Sequence, residues 1–131
     1  MIVRPVRILY IEDNAELRED LAGELREEGY DVLEASDGRQ GLDLIVAGGI
    51  DLVLCDVQLP SLDGIALLRE LGRRLDSWPC VVMLTAFSDR ATQDLAMAAG
   101  AAAVMVKPID FGEVLELAAK VRGSNALPRQ A

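Results

Sequence analysis

The chain has 131 residues, 51% of them hydrophobic and only 4% aromatic, with a formal net charge of −9. That length suits a single domain whose core is packed by aliphatic side chains, and the acidic balance argues against direct contact with nucleic acid or an anionic membrane, both of which carry phosphates. The lack of histidine excludes His-based metal sites, His general bases and Ser-His-Asp triads.

In chain order, the apolar run Val6–Ile11 predicts a first strand. It meets charge at Glu12, too early for a signal peptide. No apolar stretch reaches the roughly 18 residues of a membrane span, so the cytoplasm is the expected compartment. After Asn14, a candidate N-cap, Leu17, Leu21 and Leu25 recur on one helical face. Glu16, Arg18, Glu19, Glu24, Arg26 and Glu27 form the opposite, charged face, and Gly29 fits a C-terminal cap. A second strand follows at Asp31–Ala35 and a second helix from Gly38 to Gly48-Gly49.

The third run, Asp51–Cys55, precedes a helix opening at Asp63-Gly64, with Ile65, Leu68, Leu71 and Leu75 inward and Trp78-Pro79 closing it. Cys80–Thr85 predicts a fourth strand, Asp89–Ala99 a fourth helix stopped by Gly100, and Ala102–Val106 a fifth strand. The last helix opens at Asp110, placed with Glu113 as a capping box, and turns Val114, Leu115, Ala118 and Val121 inward. The tail from Gly123 reads as frayed or as the start of a linker. Cys55 and Cys80 read as small buried hydrophobes. On parallel neighbouring strands they stand roughly 13 Å apart, at about 3.3 Å per residue, beyond the reach of a disulfide.

Strand and helix alternate five times, which argues for an α/β fold with a parallel sheet and right-handed crossovers. Sites in such sheets form at the carboxyl ends of the strands. The first polar groups after the apolar runs are Glu12-Asp13, Asp56, Thr85 and Lys107-Pro108. If the strands are parallel, all of these land on one edge. A lone carboxylate there is usually a helix cap or a solvated charge, and a lone lysine a neutralising partner. Carboxylates that converge are different. Two like charges about 4 Å apart repel by roughly 4 kcal/mol at an effective dielectric of 20, so the cluster calls for a cation. Oxygen-only donors with open positions suit Mg²⁺ or Mn²⁺. A hydroxyl and an ammonium facing such an ion can clamp a phosphoryl group, and a carboxylate between them can act as nucleophile.

These pieces, in this order, resemble the receiver domains of bacterial two-component response regulators. The likeness rests on Ile11-Glu12-Asp13, the run Asp51 to Pro60, Asp63-Gly64, Leu84-Thr85-Ala86, Gly100-Ala101 and Lys107-Pro108-Ile109. It covers residues 6 to about 122 and implies a receiver domain over 1–123, with 124–131 a flexible tail or the start of a linker. The implied fold is a flavodoxin-like, doubly wound (βα)5 domain with a five-stranded parallel sheet in the order 2-1-3-4-5.

The resemblance implies roles residue by residue. Asp56 matches the phosphoacceptor and a metal ligand, Asp13 a direct acidic ligand, and Glu12 a partner acting through water. Gln58 matches the position whose backbone carbonyl binds the metal. Thr85 matches the hydroxyl that follows the phosphoryl group, Ala86 the small residue that leaves the phosphoryl site open, and Lys107 the phosphoryl-oxygen contact. Pro108 follows it, commonly after a cis bond. Gln58 and Phe87 flank the site and are expected to set the hydrolysis rate of the acyl phosphate. The family often carries Tyr or Phe three residues before the lysine; here that residue is Val104, so the switching readout differs in detail.

The implied function is Mg²⁺-dependent acceptance of a phosphoryl group from a histidine kinase or phosphotransfer protein, followed by switching of partner binding on the face of the fourth helix, fifth strand and fifth helix. No enzyme activity beyond self-phosphoryl transfer and self-dephosphorylation is expected, nor is nucleic-acid or membrane binding by this domain; a homodimer stays open. A pseudo-receiver would show loss of an acid or of the lysine, and neither is lost. A flavodoxin-like cofactor binder wants a Gly- or Ser/Thr-rich phosphate loop where Glu-Asp-Asn-Ala-Glu stands. An Asp-nucleophile phosphohydrolase wants a second aspartate where Gln58 stands.

Overall fold

Each apolar run forms a strand because each is followed by a polar turn and a capped helix that folds back over the sheet. The computed structural model describes residues 4–86, 88–124 and 129–130. In chain order the elements are β1 (Arg7–Ile11), α1 (Ala15–Glu27), β2 (Asp31–Ala35), α2 (Gly38–Ala47), β3 (Leu52–Asp56), α3 (Gly64–Arg74), β4 (Ser77–Trp78), β5 (Cys80–Thr85), α4 (Arg90–Ala99), β6 (Ala103–Val106), α5 (Phe111–Ser124) and β7 (Arg129–Gln130). The main sheet is parallel, in the order β2-β1-β3-β5-β6. Counting only its own strands, that is the 2-1-3-4-5 order of doubly wound flavodoxin-like folds.

The central strands β3 and β5 are buried along their whole length, as strands covered on both faces must be. Alternate residues supply two cores. Leu9, Ile11, Val53, Cys55, Val81 and Met83 pack with Leu42, Leu67, Leu68, Leu71 and Ala96 from α2, α3 and α4. Ile8, Tyr10, Leu52, Leu54, Val82 and Leu84 pack with Ala22, Leu25, Val114, Ala118 and Val121 from α1 and α5. Each fully buried aliphatic side chain contributes about 1.5–3 kcal/mol. The helices start on cue. Asn14, Asp37, Asp63 and Asp89 each accept a hydrogen bond from the backbone N–H three residues on, satisfying a donor that the first turn cannot.

Several expectations need adjustment. On α1, Leu25 is fully buried but Leu17 is 49% exposed. A spacing of four advances about 40° too far per step on a helix of 3.6 residues per turn, so the stripe rotates off the sheet and Ala22 takes the inward place. Arg18 does not belong to a solvated face, its side chain being only 16% exposed. On α3, Leu67 is buried beside Leu68 and Leu71 while Ile65 is only partly so. That helix ends at Arg74, and Trp78 enters β4, which pairs antiparallel with β7. At α5, Asp110 accepts from Gly112 N–H at 2.9 Å rather than closing a box with Glu113, and Leu115 is only partly buried. Of the expected tail, residues 125–128 and 131 lie outside the described residues. Cys55 and Cys80 are both buried, with register pairs Leu52↔Cys80 and Cys55↔Met83.

Candidate functional site

Parallel register carries the ends of β1, β3, β5 and β6 to one edge. Asp56 closes β3, and Glu12 and Asp13 follow β1 directly. One carboxylate oxygen from each of Glu12, Asp13 and Asp56 lies within 4.8 Å of the others. Glu12 is 2% exposed and Asp56 7%, whereas Asp13 is open to solvent. Lys107 reaches in from the end of β6: its Nζ donates to Asp56 Oδ2 at 2.7 Å and to Glu12 Oε1 at 2.9 Å. Burial works to lower the Lys107 pKa, but the bonds and charge of Asp56 and Glu12 outweigh it and hold the ammonium above its ordinary value.

The surrounding backbone is held closely. Asp56 Oδ1 accepts from Gln58 N–H at 3.0 Å, and Asn14 N–H donates to Glu12 Oε2 at 3.2 Å. Gly64 opens α3 directly below the acid: a Cβ there would sit 2.6 Å from the Asp56 carbonyl and would collide with the Met83 side chain. The β3–α3 loop is fastened to α2 through Ser61, the non-glycine residue with positive φ (65°) among those described. Its hydroxyl donates to Asp37 Oδ1 at 3.2 Å and accepts from Arg39 N–H at 3.3 Å. The bonds to Asp37 and Arg39 offset the strain of that backbone.

Thr85, 1% exposed, ends β5, and its carbonyl accepts from Lys107 N–H at 2.7 Å. Ala86 and Gln58 are exposed beside the acids. The Lys107–Pro108 bond is cis. Val104, opposite Met83 in the register, is partly buried against the core beneath α4. Phe87, expected to flank the site, lies outside the described residues.

Two contributors were not legible in the sequence. The Tyr10 hydroxyl donates to Glu12 Oε1 over a long 3.4 Å, and burial, with the nearby charges of Glu12 and Asp56, keeps the phenol protonated. Arg18 donates to the Glu12 carbonyl at 2.8 Å. Tyr10 reads as one more strand hydrophobe and Arg18 as one more helix charge; only the three-dimensional return of α1 over β1 gives them away.

Hard oxygen donors clustered within one ion's reach, one of them solvent-open, fit Mg²⁺ or Mn²⁺ with some of its waters retained. Fold and site together define a doubly wound α/β domain with a cation-attracting acidic pocket at the carboxyl edge of its sheet. The sequence profile of the response regulator receiver domain matches residues 8–119. The transcriptional regulatory protein PdtaR of Mycobacterium tuberculosis is 41% identical over 112 residues, 85% of this chain and 54% of that protein. The response regulator MprA of Mycolicibacterium vanbaalenii is 39% identical over 111 residues, 85% of this chain and 48% of that protein. The chain thus spans about half the length of these relatives. Among solved structures, the Francisella response regulator 1452 receiver domain matches with TM-score 0.84 at 24% identity, over 93% of this chain and 99% of that one. TrrA of Thermotoga maritima, solved in complex with Mg²⁺-BeF, matches with TM-score 0.75 at 33% identity, over 88% and 98%. The chain belongs to the response regulator receiver domains, the signalling modules of two-component systems. Among the described residues, no helix is long and apolar enough to cross a membrane.

Proposed function

We propose that this domain accepts a phosphoryl group on Asp56 from the phosphohistidine of a histidine kinase or phosphotransfer protein. The observation that carries the reading is the convergence of Glu12, Asp13 and Asp56 on one point, with Lys107 2.7 Å from Asp56 Oδ2. A carboxylate oxygen of Asp56 bonds to phosphorus as the P–N bond of the donor breaks, and the electron pair leaves with the donor imidazole. Lys107 neutralises charge on the phosphoryl oxygens. Asp13, Asp56 and the backbone carbonyl of Gln58 hold Mg²⁺ or Mn²⁺, with Glu12 acting through water; bound there, the ion supplies charge neutralisation and phosphoryl orientation. Ala86 leaves room for the incoming group. Water later cleaves the acyl phosphate, with Gln58 and Phe87 governing its access.

The new group adds about −1.5 to −2 charge. The Thr85 hydroxyl turns to it, and the following loop and α4 shift. The readout is partner binding, including self-association, on the face of α4, β6 and α5. Met97 and Val106 support this, being 46% and 39% exposed. With valine at 104, the shift proceeds by repacking of a small side chain rather than by rotation of a ring. The receiver, residues 1–123, passes its state through 124–131 or by direct contact to a protein partner in the cytoplasm, and does not itself touch nucleic acid.

Incubation with a small acyl phosphate and Mg²⁺, read by intact mass, tests the assignment. Wild type gains one acid-labile phosphoryl group only with the divalent ion, and Asp56→Asn gains none. Equal uptake by Asp56→Asn removes Asp56 from the role.

A further inference from the structure

The peptide that joins Glu12 to Asp13 is gripped from outside the acidic pocket. Its carbonyl accepts from Arg18 Nη1 at 2.8 Å, while the N–H of Glu12 donates to the Ala35 carbonyl at 3.0 Å. Arg18 is itself anchored: its Nε donates to Glu34 Oε1 at 3.3 Å, and Glu34 Oε2 pairs with Arg26 Nη2 at 3.1 Å. Arg26 in turn donates to the Val32 carbonyl at 2.8 Å. The Arg18 and Glu34 side chains are only 16% and 25% exposed. This is a continuous bracket from β2, through α1, to the backbone between two candidate ligands.

A peptide plane is rigid. Fixing its carbonyl therefore fixes the Cα atoms on either side and narrows the directions in which the Glu12 and Asp13 side chains leave the chain. Glu34 has a second effect. It holds the Arg18 charge on the far side of that peptide, where it cannot swing forward and compete with a divalent ion for the carboxylates. Arginine suits the task because its planar fork serves two acceptors at once, which an ammonium cannot do with the same geometry.

We infer that Arg18, held by Glu34, is a positioning residue that presents Glu12 and Asp13 to the divalent ion. The inference rests on the metal site proposed above. Partners behind metal ligands typically change affinity by about 10–100-fold, and the lower end is expected here because a carbonyl rather than a ligand side chain is held. Mn²⁺ binding by the intact chain, followed by loss of the free-ion electron paramagnetic resonance signal, tests it. Arg18→Met is expected to weaken Mn²⁺ about tenfold, and Arg18→Lys to recover part of that loss. Glu34→Gln, which leaves the Arg18 packing in place, is also expected to weaken binding. The double variant is expected to be no worse than Arg18→Met alone, because both act through one bracket. A purely structural role would lower thermal stability and leave Mn²⁺ affinity alone. Wild-type affinity in folded Arg18→Met or Glu34→Gln, with binding still lost in Asp13→Asn, overturns the inference and spares the site. Wild-type protein that binds no Mn²⁺, or binding indifferent to Asp13→Asn, overturns both.

Discussion

The two edges of the sheet treat acids in opposite ways. At the amino edge, Asp51 accepts from both Arg4 Nη atoms at 2.8 and 2.9 Å and from Arg7 N–H at 2.8 Å, and Asp31 pairs with Arg7 at 2.9 Å. Each acid there has its own arginine, and the pairs are at least partly exposed. At the carboxyl edge, Glu12, Asp13 and Asp56 converge, and among the described residues Lys107 is the cation that bridges Glu12 and Asp56. The nearby Arg18 is committed to a carbonyl and to Glu34. Matched acids are structural. Acids crowded together with less positive charge than negative cost stability, and the deficit marks a place that a cation completes.

The contrast can be broken most severely at the nucleophile. Asp56→Asn abolishes phosphoryl uptake from a small donor, whereas Asp51→Asn at the other edge leaves uptake unchanged; intact mass distinguishes them. Next is the lysine. Lys107→Met leaves Glu12, at 2% exposure, with its charge uncompensated, and is expected to destabilise the metal-free protein by about 3 kcal/mol. Saturating Mg²⁺ restores more stability to this variant than to wild type, as chemical denaturation would record.

Smaller effects sharpen the sign of the comparison. Asp51→Asn is expected to lose about 1–2 kcal/mol by weakening bonds to a charged acceptor. Asp13→Asn, which relieves crowding, should raise metal-free stability and abolish its increase with Mg²⁺. Opposite signs for two Asp→Asn changes on one sheet follow from no propensity argument. The smallest effect is in pH. The Lys107 pKa is raised on folding, so its contribution to stability is fully present below the ordinary lysine value of 10.5 and is lost as pH rises through the higher folded value. The stability gap between wild type and Lys107→Met therefore narrows in that alkaline window, as thermal melts across it would show.

The five strands of the main sheet were legible because each is a short, mainly apolar run closed by a polar residue, three of them almost unbroken, and β2 and β5 match the expected Asp31–Ala35 and Cys80–Thr85. The capped helix starts at Asn14 and Asp63 were legible for a similar local reason. The convergence of Glu12, Asp13 and Asp56 followed from parallel strands alone. Long-range, side-chain-to-backbone contacts were not legible. Arg18 looks like any other charge on α1 until β2 brings Glu34 beside it, and Ser61 gives no sign of its positive φ until Asp37 and Arg39 stand next to it. The rotation of the α1 stripe away from Leu17 was hidden too, because leucines at a spacing of four drift around the helix.

The most direct test of the central claim is titration of the protein with beryllofluoride, a phosphoryl mimic, with and without Mg²⁺, followed by amide NMR. Mg²⁺-dependent shifts are expected, centred on Asp13, Asp56, Thr85 and Lys107 and spreading through α4 to β6, with the amino-edge residues Arg7, Asp31 and Asp51 unmoved. A folded sample whose spectrum is indifferent to beryllofluoride and Mg²⁺ would contradict that claim, and would leave a receiver fold that signals by contact alone.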